Sequence, residues 1–109
     1  MAQGDPEEIA RLNDELRTTF RRGQVLVTRG VSTSPYQQEV LEAVKSYRFH
    51  GRDENNPYGE NDFGRVTVHG EDYFFKIDYY DLNLEFHSLN PSDPSVTRRV
   101  LTIMRADEY

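Results

Sequence analysis

Oxygen-bearing side chains are concentrated in one polar stretch, residues 50–62, with the sequence HGRDENNPYGEND. Asp53, Glu54, Glu60 and Asp62 supply its carboxylates, and Ca²⁺ and Mg²⁺ prefer carboxylate and carbonyl oxygens as ligands. The spacing is not that of an EF-hand, because a proline and a tyrosine interrupt the ligand pattern and no acid closes the loop. Two interpretations stay open: a cation site, or a solvated loop shaped by Asx turns and glycines.

A second set of side chains could perform acid–base chemistry. It comprises Lys76, Asp78, Glu85 and the histidines His69 and His87. The chain has no nucleophile elbow, phosphate-binding loop or zinc-ligand spacing, and it has 3 His and 0 Cys. These residues do not identify an enzyme, so we assign no catalytic residue, metal ligand or cofactor.

Arginines occur as two doublets, Arg21-Arg22 and Arg98-Arg99, which could bind phosphate. Such doublets at helix ends also complement the helix dipole or pair with acids. The formal net charge is −6, and an acidic surface repels nucleic acid. We therefore expect no direct binding to nucleic acid.

The elements that must position these groups centre on residues 63–88. Apolar and polar residues alternate there with a period of two, which predicts three consecutive antiparallel strands. Gly70 and Asp81 mark the two turns. The pattern directs Tyr73, Phe75, Ile77 and Tyr79 towards a helical layer. Phe74, Lys76, Asp78 and Tyr80 then share the opposite face with Glu85, which we expect to be uncovered.

Flanking segments complete the predicted order α-β-α-β-β-β-α. Asp5-Pro6 begins a helix that ends near Gly23, a short strand covers 24–31, and Ser34-Pro35 begins the second helix. Asp93-Pro94 begins a last helix with an apolar stripe that reaches Met104. These elements predict an α+β fold: a two-layer sandwich with an antiparallel three- to four-stranded sheet and helices on one face. We expect one domain over 1–109, with a loose terminus over 1–4.

Composition places this domain among acidic, water-soluble proteins. Aromatic residues make up 12% of the 109 residues, which argues against intrinsic disorder. No apolar run is long enough to span a bilayer, and the absence of Cys fits a reducing cytoplasm. Residues 53–85 hold nine acids against two bases. A surface of this kind attracts cations or basic proteins.

Four stretches are distinctive as strings: 22–25 with 28–31, NNPYGENDFG at 55–64, FKIDYYDLNLEF at 75–86 and DPSVTRRVLTIMRADEY at 93–109. In these stretches the chain resembles an uncharacterised domain-of-unknown-function family of alphaproteobacterial plasmids, prophages and integrative elements. The resemblance implies a small cytoplasmic protein carried by mobile DNA. It implies no activity and no catalytic residues.

These observations favour a non-catalytic module that binds a basic protein partner. Aromatic residues anchor interfaces and charges select the partner. The mobile-element setting suggests an inhibitor of a host defence system, of the anti-CRISPR or anti-restriction kind, whose carboxylates mimic DNA charge. The predicted protein-binding residues are Asp53, Glu54, Glu60, Asp62, Phe74, Asp78, Tyr80, Asp81 and Glu85. Two alternatives stay open: a metal-dependent enzyme or accessory protein that uses 50–62 and His87, and a regulatory or structural homodimer joined at the sheet edge.

Overall fold

The structure is a computed structural model that describes residues 4–109. The predicted loose terminus over 1–4 therefore lies outside the described residues, apart from Gly4. Three α-helices and four strands are followed by a short 3-10 helix over Ala106–Glu108. The elements are α1 Pro6–Thr19, β1 Gln24–Val27, α2 Arg29–Ser32, α3 Gln37–Ser46, β2 Phe63–Val68, β3 Glu71–Tyr80 and β4 Arg98–Arg105.

The four strands form one sheet in the order β1-β4-β3-β2. β3 pairs antiparallel with both β2 and β4, whereas β1 runs parallel to β4. The prediction of an α+β fold is confirmed, but the sheet is mixed rather than purely antiparallel. No helix among residues 4–109 is long and apolar enough to cross a membrane.

Apolar burial on one face of the sheet joins it to the helices. The predicted inward residues of β3 are buried, and Phe75 at 0% exposure lies at the centre of the core. Ile9 and Leu16 of α1 and Val40 and Val44 of α3 belong to the same buried cluster. The helices therefore cover one face, as predicted, because only this arrangement buries the amphipathic stripes of both layers.

The predicted last helix over 94–105 is wrong, since β4 occupies most of that segment. Val100, Leu101, Ile103 and Met104 are all at most 6% exposed. They form a nearly continuous apolar run, which is typical of a strand covered on both faces and which periodicity alone cannot distinguish from a short helix. Leu101 and Ile103 lie on the helix-covered face of the sheet, and Val100 and Met104 lie on the other face. Both faces of β4 are therefore buried, which explains the continuous apolar run.

The third predicted strand, over 82–86, is also wrong. β3 already pairs with β2 on one side and β4 on the other, so the sheet has no free edge beside β3 for this segment. Leu84 has a φ of 59°, which turns the chain away from an extended path. Only an isolated bridge between Tyr80 and His87 remains of the expected pairing. The predicted strand over 24–31 likewise ends early, because α2 begins at Arg29.

A buried polar network ties α1 to the sheet. The Asn13 side chain, at 0% exposure, accepts a hydrogen bond from Arg99 Nε at 2.9 Å and donates one to the Tyr79 hydroxyl at 2.8 Å. It also donates to the backbone carbonyl of Glu60 at 3.0 Å. Burial raises the pKa of Tyr79 and lowers the pKa of Arg99. The Tyr79 hydroxyl therefore stays neutral, while Arg99 depends on its partners for compensation of its buried charge.

A second buried arginine, Arg17, ties α1 to the end of α3. Its Nη1 donates to the carbonyl oxygens of Val44 at 2.8 Å and Tyr47 at 2.7 Å. Its Nη2 lies 3.1 Å from Asp14 Oδ1. These bonds satisfy carbonyl groups at the C-terminal end of α3, where a helix leaves them unpaired.

We predict that Asn13→Ala lowers the free energy of unfolding by about 2–3 kcal/mol, because it leaves the buried Nε of Arg99 without an acceptor and removes the hydrogen bond to the Tyr79 hydroxyl. Urea denaturation followed by circular dichroism measures this change. Asn83→Ala is the control, since Asn83 is exposed, and its expected effect is within about 0.5 kcal/mol. Equal stabilities of the two variants would contradict the importance of the network.

Candidate protein-binding surface

The connection from β3 to β4 exposes most of its large apolar side chains. We call residues 81–97 the apolar loop. Leu82 is 51% exposed, Leu84 42%, Phe86 71%, Leu89 86% and Val96 41%. Exposed apolar side chains are normal singly, whereas exposed apolar patches mark interaction sites. The loop is therefore the principal candidate surface.

Asp81 organises the first half of the apolar loop. Its Oδ1 accepts hydrogen bonds from the backbone N–H groups of Asn83 at 3.2 Å and Glu85 at 3.0 Å. Its own N–H donates to the carbonyl of Phe86 at 2.7 Å. The hydrogen bond from the Glu85 N–H is the main cause that lowers the pKa of Asp81. The turn that displays Leu84 and Phe86 is thus closed by the chain itself.

Two buried hydroxyls organise the second half. Ser88 and Thr97 are 1% and 8% exposed, and their hydroxyl oxygens lie 2.6 Å apart. The Thr97 hydroxyl also donates to the carbonyl of Asn90 at 2.9 Å. Arg99 Nη2 donates to the carbonyl of Pro91. The loop is therefore anchored to the same arginine that binds Asn13.

The apolar loop carries acids without bases. Asp81, Glu85 and Asp93 are its only charged residues, and it contains no Lys or Arg. An interface that combines apolar anchors with charges of one sign fits a partner with an apolar patch and a basic rim.

Residues 50–62 form a structured loop with a buried asparagine at its centre. Asn56 is 2% exposed, and its Nδ2 donates to the Gly51 carbonyl at 3.0 Å and to Asn61 Oδ1 at 2.8 Å. Asp53 Oδ1 accepts from the N–H of Asn55 at 2.8 Å. These contacts fit the interpretation in which Asx turns shape the loop. Residues 4–109 contain no group of three or more His, Cys, Asp or Glu that could hold a metal ion.

The carboxylates at the end of this loop are partly withdrawn from solvent. Glu60 Oε1 accepts a hydrogen bond from the Tyr79 hydroxyl at 2.9 Å. Burial, followed by repulsion from Glu60 and Asp78, raises the pKa of Asp62. Asp53 and Glu54, in contrast, are exposed. Of the four predicted carboxylates in this loop, only those of Asp53 and Glu54 are therefore fully accessible to a partner.

The sheet face away from the helices is charge-paired. Lys76 Nζ lies 2.9 Å from Asp78 Oδ2, and this hydrogen bond is the main cause that raises the pKa of Lys76. Arg65 lies 4.0 Å from Asp72. We expected unpaired carboxylates along this face, but Asp78 and Asp72 are each paired with a base.

The predicted site residues separate into several groups. Phe74 packs against Phe63 and Tyr109 with ring centroids 5.2 and 5.4 Å apart, and it lines a cavity of about 360 Å³ with Asp53 and Glu54. Half-buried Tyr80 ends β3 and leads into Asp81. Glu85 does not share a face with Asp78, because no third strand of the predicted kind exists.

Sequence reasoning missed the five exposed apolar residues, because the predicted strand over 82–86 was expected to bury Leu84 and Phe86 and the predicted last helix included Val96 in its apolar stripe. A signal was present in the surrounding residues. Asn90, Pro91, Ser92, Asp93 and Pro94 are turn-forming types, and leucines beside such a run have no regular element to bury them.

The comparison with protein families identifies a family but no activity. A family model described as "Protein of unknown function (DUF3768)" matches residues 27–108. The chain belongs to this family, and the resemblance to a domain family of unknown function is thereby confirmed. No curated protein and no solved structure matches the chain.

We predict that the Asp81 carboxyl titrates below its ordinary value of about 3.9. Because the folded pKa is lowered, the capped turn is fully stabilised above the unfolded pKa, and this stabilisation is lost as pH falls through the folded pKa. NMR titration of the Glu85 amide signal reports the transition. Asp81→Ala should speed amide exchange at Asn83 and Glu85, whereas Glu85→Ala removes a charge from the same loop and should leave the Asn83 amide protected. An ordinary titration midpoint for Asp81 would contradict the capped turn.

Proposed function

We propose that this member of the family is a non-catalytic protein-binding module whose apolar loop docks onto a basic protein. The observation that carries the proposal is the exposure of Leu82, Phe86 and Leu89 at 51%, 71% and 86% on a loop closed by its own hydrogen bonds. A free chain gains nothing from exposing such side chains, whereas their burial in an interface contributes a favourable transfer free energy of about 25 cal/mol per Å², from which the costs of association are subtracted.

Order in the loop strengthens the proposal. Ordering an interface on binding costs about 0.5–1.5 kcal/mol for each immobilised side chain, and a segment that is already ordered reduces this cost. The Asp81 cap and the Ser88–Thr97 contact order the loop before a partner arrives. Phe86 and Leu89 are the expected anchors, because large, fully desolvated side chains carry most interface energy.

Charge specifies the partner. Asp81, Glu85 and Asp93 accompany the apolar anchors, and exposed Asp53 and Glu54 add a second acidic segment. Lys and Arg side chains around an apolar patch on the partner complement this arrangement. Association should therefore be fast at low ionic strength and slow with added salt.

The more specific form of the proposal follows from the family resemblance to proteins of mobile elements. In this form the module acts in the cytoplasm on a nucleic-acid-binding host defence protein, such as a CRISPR or restriction component, and occupies its basic groove. Since Asp78 pairs with Lys76 at 2.9 Å, the carboxylates that stand in for phosphates are those of the two loops rather than the sheet face.

The metal-dependent alternative has no specific observation in its favour among residues 4–109. A homodimer remains an alternative, because a second copy could cover the apolar loop. The oligomeric state distinguishes that occupant from a basic partner.

We predict that the double substitution Phe86→Ser and Leu89→Ser weakens binding to the partner by about 100-fold or more, since each buried anchor contributes about 2 kcal/mol. Affinity capture from a host lysate at low salt supplies the partner, and calorimetry with the purified partner measures the affinity. Leu26→Ser is the matched control, since Leu26 is 51% exposed but lies on β1. The affinity of wild type should also fall steeply between about 50 and 200 mM salt.

Three outcomes would contradict the proposal. The double variant could bind as tightly as wild type, or wild-type binding could be indifferent to salt. Alternatively, light scattering could show that wild type is a dimer and that the double variant is a monomer. That result would identify a second copy of the chain as the occupant.

A further inference from the structure

A cavity of about 390 Å³ lies where α1 ends and where β1 and β4 begin. β1 and β4 are parallel neighbours, and Gln24 aligns with Val100. Parallel strands place their amino ends at one edge of a sheet. The segments that precede β1 and open β4 therefore meet there, although they are distant in sequence.

This arrangement brings one arginine of the first doublet together with both arginines of the second. Arg22, Arg98 and Arg99 all line the cavity, with Glu15 as its only acidic residue. The cavity lining thus has a formal charge of +2 in a chain with a net charge of −6. A local excess of positive charge on an acidic protein favours an anionic ligand.

Within the described part of the chain, the Arg98 guanidinium is free to reach a ligand, and the Arg22 guanidinium is held only by a long ion pair with Glu15. Arg98 is exposed and has no ion-pair partner within residues 4–109. The Arg22 side chain is 76% exposed, and its Nη1 lies 3.9 Å from Glu15 Oε1, which is too long for a hydrogen bond. The Arg99 guanidinium donates hydrogen bonds to Asn13 and Pro91, so its positive charge is fixed in position.

Glu15 provides an acceptor that the protein leaves unsatisfied. Its Oε1 is buried and has no hydrogen-bond partner. A buried acceptor of this kind calls for a donor, and a hydroxyl group of a ligand in the cavity would supply one. The pocket therefore combines donors for an oxyanion with an acceptor for a hydroxyl.

We propose that this cavity binds a small phosphate monoester that bears hydroxyl groups, of the size of a nucleoside monophosphate or a sugar phosphate. The charge of a phosphate dianion matches the +2 of the lining residues, and guanidinium groups bind phosphate with two parallel hydrogen bonds. The cavity volume of about 390 Å³ lies within the range of small-molecule sites. Pro94 and Thr97, at the end of the apolar loop, also line the cavity, whereas the exposed anchors Phe86 and Leu89 do not. The proposal therefore does not depend on the function of the apolar loop.

Calorimetric titration of the full chain with adenosine 5′-monophosphate, inorganic phosphate and adenosine tests the proposal. We expect saturable binding of the monophosphate, weaker binding of phosphate, and no binding of adenosine at the same concentrations. Arg98→Gln and Arg22→Gln should each weaken monophosphate binding by about tenfold or more. Arg48→Gln makes the same charge change at an exposed position outside the cavity and should change it less than about twofold.

Glu15→Ala separates the two parts of the site. Removing the carboxylate should strengthen binding of inorganic phosphate several-fold, because a repulsive charge is lost, and should reduce the advantage of the monophosphate over phosphate. Thermal unfolding of each variant checks that the fold is intact. The proposal is overturned if wild type shows no saturable binding of the monophosphate up to about 10 mM, if Arg48→Gln weakens binding as much as Arg98→Gln, or if phosphate binds as tightly as the monophosphate.

Discussion

The buried guanidinium group of Arg99 is the constraint on which the rest of the structure depends. Arg99 is the second residue of the inner strand β4 and is only 4% exposed, so its charge must be compensated inside the protein. Asn13 binds it from α1, and the Pro91 carbonyl binds it from the apolar loop. The Tyr79 ring lies 5.3 Å from the guanidinium carbon. The Arg99 side chain thus connects α1, β4 and the apolar loop.

This arrangement connects the core to the surface that we assign to binding. The apolar loop lies outside the helices and strands, yet its carbonyl and hydroxyl groups are satisfied by the turn at Asp81, the Ser88–Thr97 pair and Arg99. The chain therefore uses polar contacts, rather than burial, to hold Phe86 and Leu89 in solvent. Apolar side chains on an ordered segment are what a binding site needs, because the entropy cost of ordering is met during folding.

The sequence predicted a strand correctly where only one face of that strand is buried. It failed to predict a strand whose two faces are both buried. The alternation in β3 identified Tyr73 and Phe75 as core residues, because a strand with one wet face shows its period clearly. β4 lacks that alternation, so its apolar run was interpreted as a helical stripe. The network had a signal: Asn13 and Arg17 lie on the stripe of α1 formed by Ile9, Leu12 and Leu16. Polar residues at such positions are buried and need partners, but those partners are distant in sequence, so no local pattern could identify them.

We infer that the apolar loop is held in one conformation before any partner binds. Backbone ¹⁵N relaxation of the free protein tests it most directly. We predict order parameters of about 0.8 for Leu84, Phe86 and Leu89, similar to those of β3 and β4. Values below about 0.6 across residues 82–96 would show a flexible segment and would contradict a binding surface that is ordered in advance.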